Sequence, residues 1–275
     1  MRLLRPVLLN VITWALVLLI SFPLIWMIVT SIKPQTELFR IPPTWLPETV
    51  TFEHYWRLLS ETSFLLYFRN SVVLATTTTL FVVALGTLGA YSLVRFTYRG
   101  RETLAMLVLF TYLLPSVVLI IPLYLMMVSL GLSNTLFSLI LAHTTFALPY
   151  ALWLLRSFME GIPEDLENAA LVDGASRMGA FRDVIFPQLL PGIISTALFT
   201  FILSWNEYLY ALVLVNSEAV APLTTGVMSM LISAFNIEWS LLMAASVMMS
   251  IPLIVVFAFL QSYLTSGFGA GGVKG

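Results

Sequence analysis

The chain has 275 residues, 59% of them hydrophobic and 10% charged, with a formal net charge of −1 and no cysteine. A soluble domain carries about 25% charged and about 45–50% apolar residues, so that class is excluded. The near-neutral charge offers nothing to nucleic acid, and without cysteine there is no disulfide or thiolate site.

Apolar runs of roughly 20 residues recur, and at about 1.5 Å per residue each crosses a hydrocarbon layer of about 30 Å. The fold class is therefore an all-α integral membrane protein. Six transmembrane helices are expected, at about 7–32, 69–94, 104–130, 136–158, 190–215 and 241–264, in one transmembrane domain covering 1–275. The first run, behind Arg2 and Arg5, is too long for the apolar core of a signal peptide and lacks a small-residue cleavage site; it reads as a retained span. Pro42, Pro43 and Pro47 break the polar region after it. Residues 52–66 are expected to form an interfacial amphipathic helix with Tyr55, Trp56, Leu59 and Phe64 on one face. Span two carries the threonine run 76–79, then Gly86, Gly89 and Ala90, which allow close helix approach. Span three contains Pro115 and Pro122, each expected to kink it. Span four contains His143 and Pro149, and a polar loop, 159–189, separates it from span five. A connection over 216–239 holds a partial helix at 224–235, and a flexible tail begins at 265.

Orientation is set by lysine and arginine placement. The connections 131–135 and 216–239 contain neither residue, whereas Arg2, Arg5, Arg95, Arg99, Arg101, Arg156, Arg177 and Arg182 share the other side. Both termini and the loop 159–189 are therefore expected to be cytoplasmic. Lys33, Arg40, Arg57 and Arg69 fall on the outer side, beside Glu37, Glu48, Glu53 and Glu61.

Several kinds of chemistry are absent. The two lysines, Lys33 and Lys274, do not follow glycine, so the chain has no phosphate-binding P-loop. The glycine pattern at 267–272 imitates a dinucleotide fingerprint, but it follows a membrane helix and ends the chain. His54 and His143 have no metal-ligand spacing; His143 reads as a helix–helix hydrogen bond or a pore residue. There is no serine–histidine–acid set and no inverted repeat of the kind that builds secondary transporters. No catalytic residue and no metal site is expected.

Two stretches remain. Trp205, Asn206, Glu207 and Tyr208 place a carboxylate inside span five. A charge there costs about 2.5–3.5 kcal/mol on insertion scales and usually faces a bundle interior or a wet cavity. Aromatic faces beside amide and carboxylate acceptors suit a polyhydroxylated solute; helix–helix adhesion or a wet interfacial position is the plainer alternative. In the loop, Pro163 suits a first helical turn and Glu164, Asp165 and Glu167 complement the helix dipole. Leu166, Ala169, Ala170 and Asp173 share a face, and Gly174 suits a C-terminal cap. Ser176 is then expected to cap a second short helix carrying Met178, Phe181 and Ile185 on one side and ended by Pro187. Such a pair makes a compact knob, either a docking element or an ordinary solvated loop.

At these residues the chain resembles the permease subunits of ATP-binding-cassette importers for carbohydrates, of the type that forms the second membrane subunit of maltose importers. The likeness covers nearly the whole chain. It includes 31–34, Asn70-Ser71, 90–93, Pro115, 122–124, Gly131-Leu132, Asn134-Thr135, Pro149, Trp153, Trp205-Asn206-Glu207 and the tail from 265. The loop carries the family signature of Glu-Ala-Ala, three residues, glycine and a later proline. In this chain the first position is Asn168, followed by Ala169, Ala170 and Gly174, with Glu167 just before it. Glu167 is displaced by about 100° around the helix.

The resemblance implies that the loop is a coupling helix docked on a separate ATPase through Glu164, Glu167, Asn168, Ala169, Ala170, Asp173 and Gly174. Trp205, Asn206, Glu207 and Tyr208 are then candidates for the substrate pathway. It further implies a second permease subunit, two ATPase subunits that hold ATP and magnesium, and an extracytoplasmic solute-binding protein. The setting is the lipid of a bacterial or archaeal plasma membrane. The expected activity is alternating-access import of a sugar or related polyhydroxylated solute, with this chain forming half the pathway. An ATPase-independent channel or secondary transporter is the alternative.

Overall fold

The computed structural model describes the backbone of residues 4–233 and 236–271. Its helices in order are α1 (Leu4–Ser31), α2 (Gln35–Leu38), α3 (Glu53–Ser60), α4 (Phe64–Arg95), α5 (Arg101–Tyr112), α6 (Ser116–Ser129), α7 (Leu136–Glu160), α8 (Glu164–Val172), α9 (Arg177–Ala180), α10 (Phe186–Asn206), α11 (Leu209–Leu214), α12 (Leu223–Leu231) and α13 (Trp239–Gly271). A two-residue antiparallel pair, Ile232–Ser233 with Asn236–Ile237, comes after α12. Among the described residues five helices are long and apolar enough to cross a membrane. The bent pair α5 and α6 makes a sixth span if its halves are counted as one. The expected partial helix at 224–235 is α12, and its last two expected residues lie outside the described residues. The expected flexible tail is instead helical as far as Gly271, and 272–275 lie outside the described residues.

The chain divides into two compact units, Met1–Leu65 with Gly226–Pro252 and Leu66–Thr225 with Leu253–Gly275. In the first, α1 is apolar all round and its large side chains from Leu8 to Ile28 are mostly exposed, as on a helix that faces lipid or another chain. The polar segment after it is organised by Lys33, which is 2% exposed. Its ammonium donates to the carbonyl and, at 3.2 Å, the hydroxyl of Thr44, and lies 5.2 Å from the Trp26 ring centroid. The Thr44 hydroxyl donates to Glu37 at 2.6 Å, and the Glu48 N–H to the same carboxylate oxygen at 3.1 Å. The Lys33 carbonyl meets His54 Nε2 at 3.0 Å and accepts from the Ser240 hydroxyl at 3.0 Å. The expected interfacial helix is shorter and faces differently: α3 buries His54 and Leu58 and leaves Trp56 71% exposed, because the Lys33 carbonyl draws the histidine inward.

In the second unit α7 is the central helix, packed against α5, α6, α10 and α11. One end of its core gathers Leu74, Leu123, Met127, Leu139 and Tyr210; the other gathers Ala90, Leu93, Ala105, Leu155, Met159, Ile185 and Leu189. Close approach between α7 and α10 depends on Gly192, where an added Cβ would lie 2.6 Å from the Phe158 ring.

The prolines differ in what accompanies them. Pro122, Pro149 and Pro191 sit inside continuous helices, and only Pro115 accompanies a break. There α5 tightens into i→i+3 bonds at Leu113 and Leu114, and the axis turns by 100° into α6. The residue before proline avoids the helical region, and Leu114 is the point at which the helix has unwound. Span two also begins earlier than expected, at Phe64.

At the end of α7 away from the loop, one side chain ties two connections together. Asn134, at φ 57°, accepts through Oδ1 from Asn216 N and Ser217 N at 3.1 Å each and from the Ser217 hydroxyl at 2.9 Å. The start of α4 holds the same connection. Asn70 donates to the carbonyls of Ala219 and Ala221 at 3.0 Å each, and Ser71 Oγ accepts from Leu223 N at 2.8 Å.

Gly192→Val is expected to overpack the α7–α10 contact at about 1–3 kcal/mol, read as a lower melting temperature in detergent, with Phe158→Ala in the same chain restoring part of it. In the first unit, the Thr44 hydroxyl, aided by the N–H groups of Glu48 and Thr49 and the Lys33 charge, outweighs burial and holds the Glu37 carboxyl below its ordinary 4.5. A lowered folded pKa adds stability that is present above the unfolded value and lost as pH falls through the folded one. Glu37→Gln should therefore lower the melting temperature at neutral pH, with the gap from the wild type closing as pH drops below 4.5.

Candidate functional site

The loop between α7 and α10 is a knob with two faces. Pro163 opens α8, whose first turn holds Glu164, Asp165 and Glu167. Gly174, at φ +91°, ends it. Ala175 N donates to the Ala170 carbonyl at 2.9 Å and Gly174 N to the Leu171 carbonyl at 3.1 Å, the paired closure of a Schellman cap. Ser176 then caps α9, its Oγ accepting from Gly179 N at 3.1 Å.

The expected second short helix ended by Pro187 does not form. Instead α9 passes through a π-turn, Phe181–Ile185, directly into α10, so that one helix runs from Arg177 to Asn206. A proline ring collides with the carbonyl four residues back in a regular helix. The wider π-turn ahead of Pro187 lets the helix pass that point. The helix that carries the apolar run expected for span five thus begins at Arg177, ahead of the run itself.

The inward face is built on Glu167, which is 5% exposed. Tyr91 donates to its Oε1 at 2.6 Å, and Arg95 Nε lies 3.0 Å from its Oε2. Arg95 also donates to the Ile162 carbonyl at 2.7 Å. The resemblance puts Glu167 on the docking face with its neighbours; the structure turns it the other way, because α4 presents it a phenol and a guanidinium. Outward lie Glu164, Asn168, Ala169, Asp173 and Gly174, all exposed, with Ala170 half-buried. Sequence reasoning missed two members of this face. Val172 is 86% exposed and Met178 69%, beside Leu166 at 43%. Helical spacing groups Met178 with Phe181 and Ile185, but Ile185 is fully buried while Met178 points out.

The second candidate site is also rearranged. Glu207 does not sit within a helix: α10 stops at Asn206, Glu207 is extended (φ −68°, ψ 133°), and α11 starts at Leu209. Its carboxylate accepts from Tyr210 N at 2.8 Å and Ala211 N at 3.2 Å, which makes it the cap of α11. Its carbonyl accepts from the Thr224 hydroxyl at 2.7 Å. His143, fully buried, lies with Nε2 3.3 Å from Glu207 Oε2 and Nδ1 2.7 Å from Ser204 Oγ, so the histidine does join helices. Trp205 is buried between Phe68 and Phe201, whereas Asn206 is exposed and Tyr208 half-buried.

This break is linked to the other one. The Tyr210 hydroxyl donates to the Ser116 carbonyl at 2.8 Å, just past the α5–α6 bend. Beside it is a cavity of ≈ 350 Å³ bounded by Thr111, Tyr112, Ser116, Thr145, Phe146 and Leu203, whose hydroxyls and rings carry no signal of their own in the sequence. Among the described residues no cluster of three or more histidine, aspartate or glutamate side chains is arranged to hold a metal.

The chain is similar to known proteins over nearly its whole length. A family described as "Binding-protein-dependent transport system inner membrane component" matches residues 83–269. The diacetylchitobiose uptake system permease protein DasC of Streptomyces coelicolor is 34% identical over 266 residues, covering 97% of this chain and 96% of that protein. The trehalose/maltose transport system permease protein MalG of Thermococcus litoralis is 34% identical over 261 residues, covering 92% and 91%. In the crystal structure of a bacterial ABC transporter involved in the import of the acidic polysaccharide alginate, one chain matches with a TM-score of 0.82. The match covers 94% of this chain and 96% of that one at 23% identity, and shows a shared fold. The chain belongs to the family of binding-protein-dependent transport system inner membrane components, and is a membrane permease subunit rather than an enzyme.

Proposed function

We propose that this chain forms half the translocation pathway of an importer for a sugar or related polyhydroxylated solute, driven by ATP hydrolysed on two separate ATPase subunits. The names of its relatives, which include a diacetylchitobiose and a trehalose/maltose permease, support the solute class. A second permease subunit and an extracytoplasmic solute-binding protein complete the complex, in the plasma membrane of a bacterium or archaeon. ATP and magnesium belong to the partner ATPases; this chain holds no cofactor. Both termini and the knob are cytoplasmic, in line with Arg95, Arg99, Arg101, Arg156, Arg177 and Arg182 at that end. The ATPase-independent alternative gains no support from the relatives, and the one carboxylate inside a span region is engaged as a helix cap.

The observation that carries the coupling role is the outward face of the knob. Leu166, Val172 and Met178 are exposed on it, among the carboxylates of Glu164, Asp165 and Asp173. Exposed apolar patches of this kind mark protein contacts. Small Ala169 and the tight Gly174 turn let that face approach a groove closely. Glu164, Asn168, Ala169, Ala170, Asp173 and Gly174 form the docking set; Glu167 stands behind it. Docking in this chain rests on shape and apolar contact, with a neutral amide at 168.

For the pathway, the reading that fits the geometry runs along the two helix breaks, past Asn206, Tyr208 and the cavity with Tyr112 and Thr145. Glu207 and Trp205 hold the break in place. Rings and hydroxyls together suit the apolar faces and hydroxyl edges of a sugar.

Ala169→Trp should leave the melting temperature of the purified chain unchanged and strip the ATPase from it in co-purification; an ATPase retained at wild-type level would refute docking at this face. Gly174→Val, strained at its positive φ by roughly 1–2 kcal/mol, should impair uptake more than Gly174→Asn. In the pathway, Glu207→Ala should cost about 1 kcal/mol as a lost cap, seen as a lower melting temperature, whereas Tyr112→Ala should change solute uptake without moving it. Unchanged melting with impaired uptake for Glu207→Ala would instead place the carboxylate in direct contact with solute.

A further inference from the structure

We infer that Glu167, Arg95 and Tyr91 form a staple that carries movement of the knob into α4, which makes Glu167 a positioning residue for coupling. The inference rests on the docking of the knob against an ATPase. Besides the chain link from α7 through 161–163 and the Arg177 guanidinium over the Phe96 ring, the knob reaches the rest of its unit by two routes. One is covalent: α9 continues through the π-turn into α10. The other is α8, whose hold on α4 is concentrated on one guanidinium. Arg95 Nε is 3.0 Å from Glu167, Nη2 donates to the Ile162 carbonyl at 2.7 Å, and Nη1 is 3.8 Å from Glu164. Tyr91, one turn earlier on α4, donates to Glu167 and sets its ring 4.9 Å from Phe181 in the π-turn. The last turn of α4 therefore grips both arms of the knob.

The chemistry of this grip differs from that of the apolar contacts around it. Methyl groups can slide past one another at little cost. A buried ion pair cannot be separated without leaving a poorly compensated charge in the interior, and the side chains of Arg95 and Glu167 are only 5% and 6% exposed. The staple transmits a pull as well as a push. It also has room to strengthen: Nε and Oε2 lie 3.0 Å apart yet make no aligned hydrogen bond. Its strength therefore depends on how α8 is turned relative to α4, and a movement of the knob that turns α8 would change it. A driven conformational change requires a change of that kind. The replacement at 168 fits this division of labour, since the neutral Asn168 faces out and the neighbouring carboxylate is held inside.

The absence of cysteine in the chain allows a direct test. Spin-label pairs are placed at Thr97→Cys with Ser157→Cys, reporting the segment directly after α4 against α7, and at Gln188→Cys with Ser157→Cys, reporting α10 against α7. The measurement uses the whole transporter with cysteine-free partner subunits, with and without ATP trapped on the ATPases. Both distances should shift with nucleotide in the parent complex. In Glu167→Gln, ATPase assembly and the Gln188 shift should persist while the Thr97 shift is lost. If both shifts persist in Glu167→Gln, the staple carries no movement and the inference is overturned; if both are lost, Glu167 belongs to docking and the inference is equally overturned. Absence of any shift in the parent complex defeats the docking reading itself. Tyr91→Phe, which keeps the ion pair and removes one hydrogen bond, gives a second variant in which a partial loss of the Thr97 shift is expected, should Glu167→Gln not assemble.

Discussion

In hydrocarbon no peptide group can turn to water, so every interruption of a helix must be closed by the protein itself. That constraint accounts for where the irregular backbone of this chain lies. The break at Glu207 frees N–H groups, and the residue at the break supplies the carboxylate that takes two of them; its own carbonyl is taken by Thr224. At the α5–α6 bend, Tyr210 from the first broken element reaches Ser116 of the second. The two breaks are linked through Tyr210, and His143 of α7 lies against the first of them.

The two ends of α7 are held by different means. Near the knob, Arg156 bridges Glu102 and Glu160, whose carboxylates are more than half exposed, and pairs of that kind contribute roughly 0–1 kcal/mol each. Behind them the Arg95–Glu167 pair is buried, and its energy depends steeply on geometry. The knob end thus combines a weak, forgiving rim with one demanding contact.

Much of this was legible in the residues. Hydropathy located the apolar runs, with α1 and α7 close to expectation, since a run of that length has one solution in a bilayer. Gly174 and Ser176 announced their caps because positive φ and a hydroxyl ahead of free N–H groups have few other uses. The breaks were not legible. Pro115 and Pro122 look alike in sequence, and the bend at the first is closed by Tyr210, 94 residues away. Glu207 read as a charge inside a helix because hydropathy sees an apolar run on both sides and cannot see the two N–H groups it caps. The direction of Glu167 was hidden for the same reason: Arg95 registered as one of several charges at a membrane boundary, and nothing local shows that it folds inward over α8. The π-turn left no compositional trace, and Pro187, an expected stop, turned out to lie inside a continuous helix.

Asn134 has a wider consequence. With Asn70 and Ser71 it binds the connection after α11 to the turn before α7 and to the start of α4, so three segments distant in sequence form one knot at that mouth of the unit. Each of these side chains takes up polar groups of the one connection, so a change at any of them loosens all three segments together.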